Sequence, residues 1–175
     1  WVRVMGKNPS VHKNCPKCPV ENVSWFEAAR YANRVSKREG LKPCYSKRGR
    51  PRGPSIYTCK GYRLPTESEW VYAAQMGIKS GLTEADAWGA ENSQKTTHPV
   101  GQKAPNSKGL FDLYGNVWEW CHDIYEELPP GDTRNPQGPK TGKMYVSRGG
   151  SWRSSLKELT AFSPRYSHLP RNKTP

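Results

Sequence analysis

From Ser24 onward, Trp25, Ala28, Ala29, Ala32 and Val35 recur at steps of three and four residues, which places them on one buried stripe of a helix. Ser24 and Glu27 have the spacing of a capping box, in which the Ser hydroxyl accepts the N3 amide and the Glu accepts the Ser amide. Gly40 supplies a stop. The same grammar repeats at Thr66 and Glu69, just after Pro65. It predicts a second helix through Trp70, Val71, Ala73 and Ala74 that ends at Gly77. Met144 to Arg148 alternates as a short strand before Gly149-Gly150, and Ile56 to Cys59 reads as another. Between these elements the pattern is irregular. Gly6, Pro9, Pro16 and Pro19 break up residues 1–23, while residues 42–60, 78–109 and 124–142 read as loops.

Composition agrees with a loop-rich chain that still builds a core. Sixteen Gly and sixteen Pro in 175 residues favour turns, whereas seven Trp and nine Tyr bury large areas and set the chain apart from disordered sequences. No apolar run approaches the roughly 20 residues of a membrane span. The net charge of +13 makes the surface basic and suited to anionic partners. Its densest stretch is Lys47-Arg48-Gly49-Arg50-Pro51-Arg52-Gly53. The Arg48-Gly49-Arg50-Pro51 core has the composition of a minor-groove hook, so a nucleic-acid or polyanion role through loop 47–53 stands beside the plainer reading of a solvated basic loop.

Five cysteines leave at least one unpaired within the chain. Cys15 and Cys18 have C-x-x-C spacing, and Cys44 and Cys59 bracket the basic loop. Two disulfides, a four-cysteine zinc site and free thiols are all compatible with these spacings. Cys121 beside His122 reads as framework, because adjacent residues seldom align for proton transfer.

Four segments, in order, carry a resemblance: Pro19-Val20-Glu21-Asn22-Val23-Ser24-Trp25; Gly61 through Trp70; Gly109-Leu110-Phe111-Asp112-Leu113-Tyr114-Gly115-Asn116-Val117-Trp118-Glu119-Trp120; and Arg148-Gly149-Gly150-Ser151-Trp152. They resemble the formylglycine-generating enzyme / sulfatase-modifying-factor superfamily over roughly Asn8 to Pro170. The resemblance implies an α+β, C-type-lectin-like fold: two helices on small, twisted antiparallel sheets, with long ordered loops. Residues 1–175 then form a single domain without the family's first strand and its final Gly-Phe-Arg strand. Trp25, Trp70, Trp118, Trp120 and Trp152 fall on framework positions and are expected in the core.

The family enzyme oxidises a substrate cysteine with oxygen, using copper held by two cysteines after the Gly-Gly-Ser-aromatic motif. Here those positions hold Ser154 and Leu159, which cannot replace soft thiolates for Cu(I). A copper- and oxygen-dependent oxidoreductase is therefore the weaker alternative. A non-catalytic binding or scaffold module for a protein or peptide partner is the expectation. Another branch of the superfamily binds iron through histidines, but His12, His98, His122 and His168 lack H-x-x-x-H spacing.

The resemblance also implies a structural calcium ion on the side chains of Asp112 and Glu119 and the carbonyls of Gly115 and Val117. In ligand-binding variable proteins of this fold, contacts come from the segment after the doubled glycine. The matching candidates here are Arg153, Lys157, Phe162, Arg165, Tyr166 and His168. The family's secreted habit favours an extracytoplasmic or secreted setting and at least one disulfide.

Overall fold

The computed structural model describes residues 1–76, 81–127, 136, 138–162 and 164–173. The chain opens with one helical turn, α1 (Val2–Met5), where an irregular lead-in was expected. Gly6 ends it, and Trp1 stacks on Tyr31 at 4.8 Å. Helix α2 (Trp25–Arg38) begins at Ser24 with both bonds of the capping box formed. Trp25, Ala29 and Ala32 are buried, while Ala28 and Val35 lie half-buried beside them. Past Arg38, Gly40 and Leu41 donate back to the carbonyls of Lys37 and Ser36 and close the helix.

Helix α3 (Glu67–Gln75) starts from the second capping box, at Thr66 and Glu69. Gly77, expected as its stop, lies outside the described residues, as does part of each of the expected loops 78–109 and 124–142.

Strands β1 (Glu119–Ile124), β2 (Tyr145–Arg148) and β3 (Arg165–His168) form one antiparallel sheet in that order. Successive strand residues point to opposite faces, and the sheet uses this to serve two clusters. On one face, Trp120 and Tyr145 pack with Trp25, Ala29, Cys44, Tyr45 and Ile56, joining the sheet to α2. On the other, Cys121 and Val146 pack with Trp70 and Ala74 of α3 and with Leu156, Leu159 and Ala161. Two indole bonds tie the layers: Trp25 Nε1 donates to the Cys121 carbonyl and Trp120 Nε1 to that of Val23, at 2.8 and 2.9 Å.

The α3 face carries an ionic bridge. Arg148 and Arg165 are cross-strand partners, an arrangement that repels when left alone. Glu67, at the first turn of α3, reaches both guanidinium groups at 2.5 Å.

One further expectation is corrected, and two of the open alternatives fall away. Ile56–Thr58 is a 3-10 turn rather than a strand: Ser55 Oγ accepts the Tyr57 amide, and Ile56 is drawn into the α2 cluster. The four outer cysteines pair as Cys15–Cys18 and Cys44–Cys59, so their sulfurs are bonded to each other and offer no thiolates for the four-cysteine zinc site. Arg48-Gly49-Arg50-Pro51 is folded into a turn, with Tyr45 bridging Pro51 and the Ser46 amide donating to the Arg50 carbonyl. Gly49 is buried at φ 78°, where a Cβ would strike Trp25 and Phe26. The extended backbone that a minor-groove hook needs is therefore absent.

Cys44–Cys59 closes a much longer loop than Cys15–Cys18, their sequence separations being 15 and 3. Replacing Cys44 and Cys59 by alanine is expected to cost about 3 kcal/mol, against about 2 kcal/mol for Cys15 and Cys18. Urea unfolding of the two double variants measures the difference.

Candidate functional site

Beyond β2 the chain turns sharply at Gly149 and Gly150, both at positive φ. A Cβ on Gly150 would collide with Leu159 Cδ2 and lie 3.0 Å from Ser154 Oγ, so the fold brings Ser154 and Leu159 to the same point. What meets there is not a metal-binding pair. Ser154 Oγ accepts the Ser151 amide at 3.1 Å, and Leu159 is 1% exposed inside the α3 cluster. The free cysteine among the described residues, Cys121, is buried in that same cluster. Burial and the nearby carboxylates of Asp123, Glu67 and Glu119 push its thiol well above the usual range. His122 faces the other way, its ring against Trp25 and Tyr45 and its Nδ1 3.3 Å from the Tyr45 hydroxyl. Burial lowers its pKa to about 4. The two neighbours thus sit on opposite sides of β1 and form no nucleophile–base pair.

The Asp112–Glu119 segment borders a cavity of about 330 Å³ lined by Asp112, Asn116, Val117 and Glu119 together with Pro19, Val100, Gly101 and Phe111. Asp112 Oδ2 accepts the Gly101 amide at 2.6 Å, while its Oδ1 is buried without a partner among the described residues. Glu119 Oε2 accepts Trp70 Nε1 at 2.6 Å. Burial, reinforced by the charge of Asp112, raises the Glu119 carboxyl to about 7. Of the four expected ligands, Asp112, Val117 and Glu119 line this cavity. Gly115 lies beside it, bridged to Trp88, and donates its amide to the Gly149 carbonyl. The Asn116 side-chain amide clasps the backbone N–H and C=O of His98.

The expected ligand surface divides. Tyr166 and His168 share one face of β3, with ring centroids 4.8 Å apart, and both pack on Trp118. Tyr166 is 56% exposed, and Phe162 and Leu169 nearby in the chain are 68% and 46% exposed. Arg165 points to the opposite face, gripped by Glu67 and lying over the Tyr125 ring, so it braces the sheet. Arg153 lies over Trp152 at 4.4 Å, and Lys157 is exposed on the 3-10 turn Leu156–Glu158. Trp25, Trp70, Trp120 and Trp152 are buried as expected, but Trp118 is only partly covered. Trp118 is thus a surface aromatic that framework matching misplaced.

Two helices against a small antiparallel sheet, long ordered loops and a doubled-glycine turn define an α+β domain of the C-type-lectin-like kind. The chain belongs to the sulfatase-modifying factor enzyme 1-like domain family, which it matches over residues 1–168. It is 33% identical to the chaperone protein LppX of Paenibacillus barcinonensis over 89% of this chain and 66% of that protein. To the formylglycine-generating enzyme of Streptomyces coelicolor it is 34% identical over 87% of this chain and 47% of the enzyme. The chain therefore spans roughly half to two thirds of these relatives' own length. Among solved structures, Treponema denticola variable protein 1 superposes with a TM-score of 0.86 at 34% identity, covering 99% of this chain and 76% of that one. No helix among the described residues is long and apolar enough to cross a membrane.

Proposed function

We propose that this domain recognises a protein or peptide partner and carries no cysteine-oxidising chemistry of its own. The observation that carries the reading is the Gly150 turn, where a hydrogen-bonded serine hydroxyl and a buried leucine converge; the family resemblance assigns these two positions to the copper cysteines. Cu(I) needs soft anionic donors, and neither side chain is one. The exposed rings of Tyr166 and Phe162, with the half-buried Trp118 beneath Tyr166, offer the recognition surface, since exposed aromatics on a rigid scaffold give contact area at low entropic cost. Similarity to a variable protein and to a chaperone, as well as to an enzyme, agrees with one scaffold serving several roles. Two disulfides favour an extracytoplasmic setting. The test is to incubate the domain with Cu(I), oxygen and a cysteine-bearing peptide and to follow aldehyde formation by mass. Conversion of the peptide would overturn the reading.

A structural calcium ion belongs to the same proposal. The unpartnered Asp112 Oδ1 and the Glu119 carboxyl held near neutrality by burial are both what a cavity short of positive charge produces. A hard cation would take these carboxylates, the Val117 carbonyl and water as ligands, bracing the loop without catalysing. Calcium at about 100 times its Kd is expected to stabilise the domain by about 2.7 kcal/mol, a rise in Tm of roughly 5–10 °C. Glu119→Gln should abolish the rise. A chelator-treated sample whose melting does not respond to calcium would remove the ion from the account.

A further inference from the structure

A strongly basic surface lies away from all of these groups. A groove of about 980 Å³ runs between α2 and the loop 43–52. Its helix wall carries Arg30, Arg34 and Lys37; its loop wall carries Lys47, Arg48 and Arg52. Arg171 and Lys173, from the chain just past β3, add two more cations, and Glu27 is the carboxylate among the lining residues.

Glu27 is already engaged in the α2 capping box and stands 3.9 Å from Lys173. The other seven cations make no ion pair among the described residues. Two of the guanidinium groups are oriented by neutral carbonyls, Arg34 Nη1 donating to Val4 and Arg52 Nε to Tyr45, both at 3.0 Å. Such bonds aim a charge without cancelling it.

Neither wall is loose. Cys44–Cys59 anchors the loop, and Arg52 donates its amide to the Cys44 carbonyl. Asn33 of α2 bonds both the amide and the carbonyl of Tyr45, stitching the two walls together. Gly49 is pressed against Trp25 and Phe26. A set of like charges mounted on walls held this rigidly is a built field for an anion, because the ordering cost of the walls is met in folding.

The geometry selects among anions. Arg30 and Arg34 are four residues apart on one helix face, about 6 Å along the axis. An extended peptide advances about 6.6 Å for every two residues, so acidic side chains on its near face would meet successive helix cations. Five of the eight cations are arginines, whose planar fork pairs with carboxylates in two bonds. Single-stranded nucleic acid would want exposed rings for base stacking, yet Tyr45 is buried and Phe26 lies under Gly49.

We propose that this groove binds an acidic, extended peptide segment of a partner protein, holding its Asp and Glu carboxylates between α2 and the disulfide-braced loop. It uses other residues than the aromatic face of β3, so either reading can fail without the other.

The test is fluorescence anisotropy with a labelled peptide of alternating Glu and Ser. A Gln/Ser peptide, a heparin fragment and a DNA duplex run alongside. The Glu peptide is expected to bind, to weaken with added salt, and to lose about tenfold or more in affinity in Arg30→Ala/Arg34→Ala/Arg48→Ala. The charge-preserving triple R30K/R34K/R48K should keep most of the affinity, which separates charge from any effect on folding. Lys13→Ala/Lys108→Ala/Lys143→Ala removes the same charge elsewhere and should change affinity by less than about twofold. Three results would each overturn the proposal: no binding of the Glu peptide at low salt, equal losses in the two alanine triples, or groove-dependent binding of heparin or duplex about tenfold tighter than that of the peptide.

Discussion

Ser154→Cys combined with Leu159→Cys is expected to give the domain a 1:1 Cu(I) site. Both side chains already converge on the space above Gly150, so no backbone rearrangement is needed to bring two sulfurs together. Two thiolates satisfy a soft monovalent cation, and the metal supplies the deprotonation that burial would otherwise oppose. Each single variant leaves one sulfur beside a hydroxyl or a methyl group and is expected to compete poorly. Titration against a chromogenic Cu(I) chelator measures all four proteins. The double variant should hold one equivalent, and the wild type none at the same chelator concentration. Leu159→Cys also shrinks a side chain in the α3 cluster and should cost about 2 kcal/mol in the absence of metal. Copper should recover part of that loss in thermal melts. Stoichiometric copper in the wild type would contradict the view that recognition has replaced oxidation.

Glu67→Ala is expected to destabilise the domain by about 3–5 kcal/mol, a large share of the roughly 5–15 kcal/mol that holds a typical domain folded. The size follows from what remains rather than from the bond removed. Arg148 is 3% exposed and lies directly opposite Arg165 in the register of β2 and β3. Without Glu67 two guanidinium groups face each other beside α3 with no carboxylate between them. Adding Arg165→Ala to Glu67→Ala should therefore cost less than the sum of the two single changes, because it removes half of the stranded charge. Urea denaturation of the cycle tests this, and additive losses would mean that the bridge is not the origin of the effect. Helix α3 would also lose its link to the strand that presents Tyr166 and His168, so binding through that face should weaken together with stability.

The parts of this fold that could be read in advance are those made by neighbours in the chain. Both capping boxes form as their Ser24/Glu27 and Thr66/Glu69 spacings require, and the buried positions of α2 follow its three- and four-residue steps. The α+β, C-type-lectin-like architecture was legible from four framework segments in fixed order. Strand β3 escaped because four residues, Arg165–His168, have little intrinsic preference and become a strand only by pairing with β2. Trp118 was assigned to the core by its framework position, while its partial exposure depends on which rings β3 places over it. Arg165 looked like a surface contact until Glu67, 98 residues away, claimed it. Cysteine spacing was compatible with disulfides or zinc, and only the approach of Cys44 to Cys59 separates them.

By itself, then, the chain's sequence determined where its two long helices start, which class of scaffold they serve, and that sulfur is missing from the turn after the doubled glycine. Tertiary structure alone decided that Ser154 and Leu159 share a point, that Asp112 is left with an oxygen unpartnered among the described residues, and that cations from residues 30–37, 47–52 and 171–173 border one groove. The division has a simple cause. Capping and helical periodicity act within a few residues and are written in local order, whereas sites arise where distant segments meet, and that meeting is set by packing of the whole core.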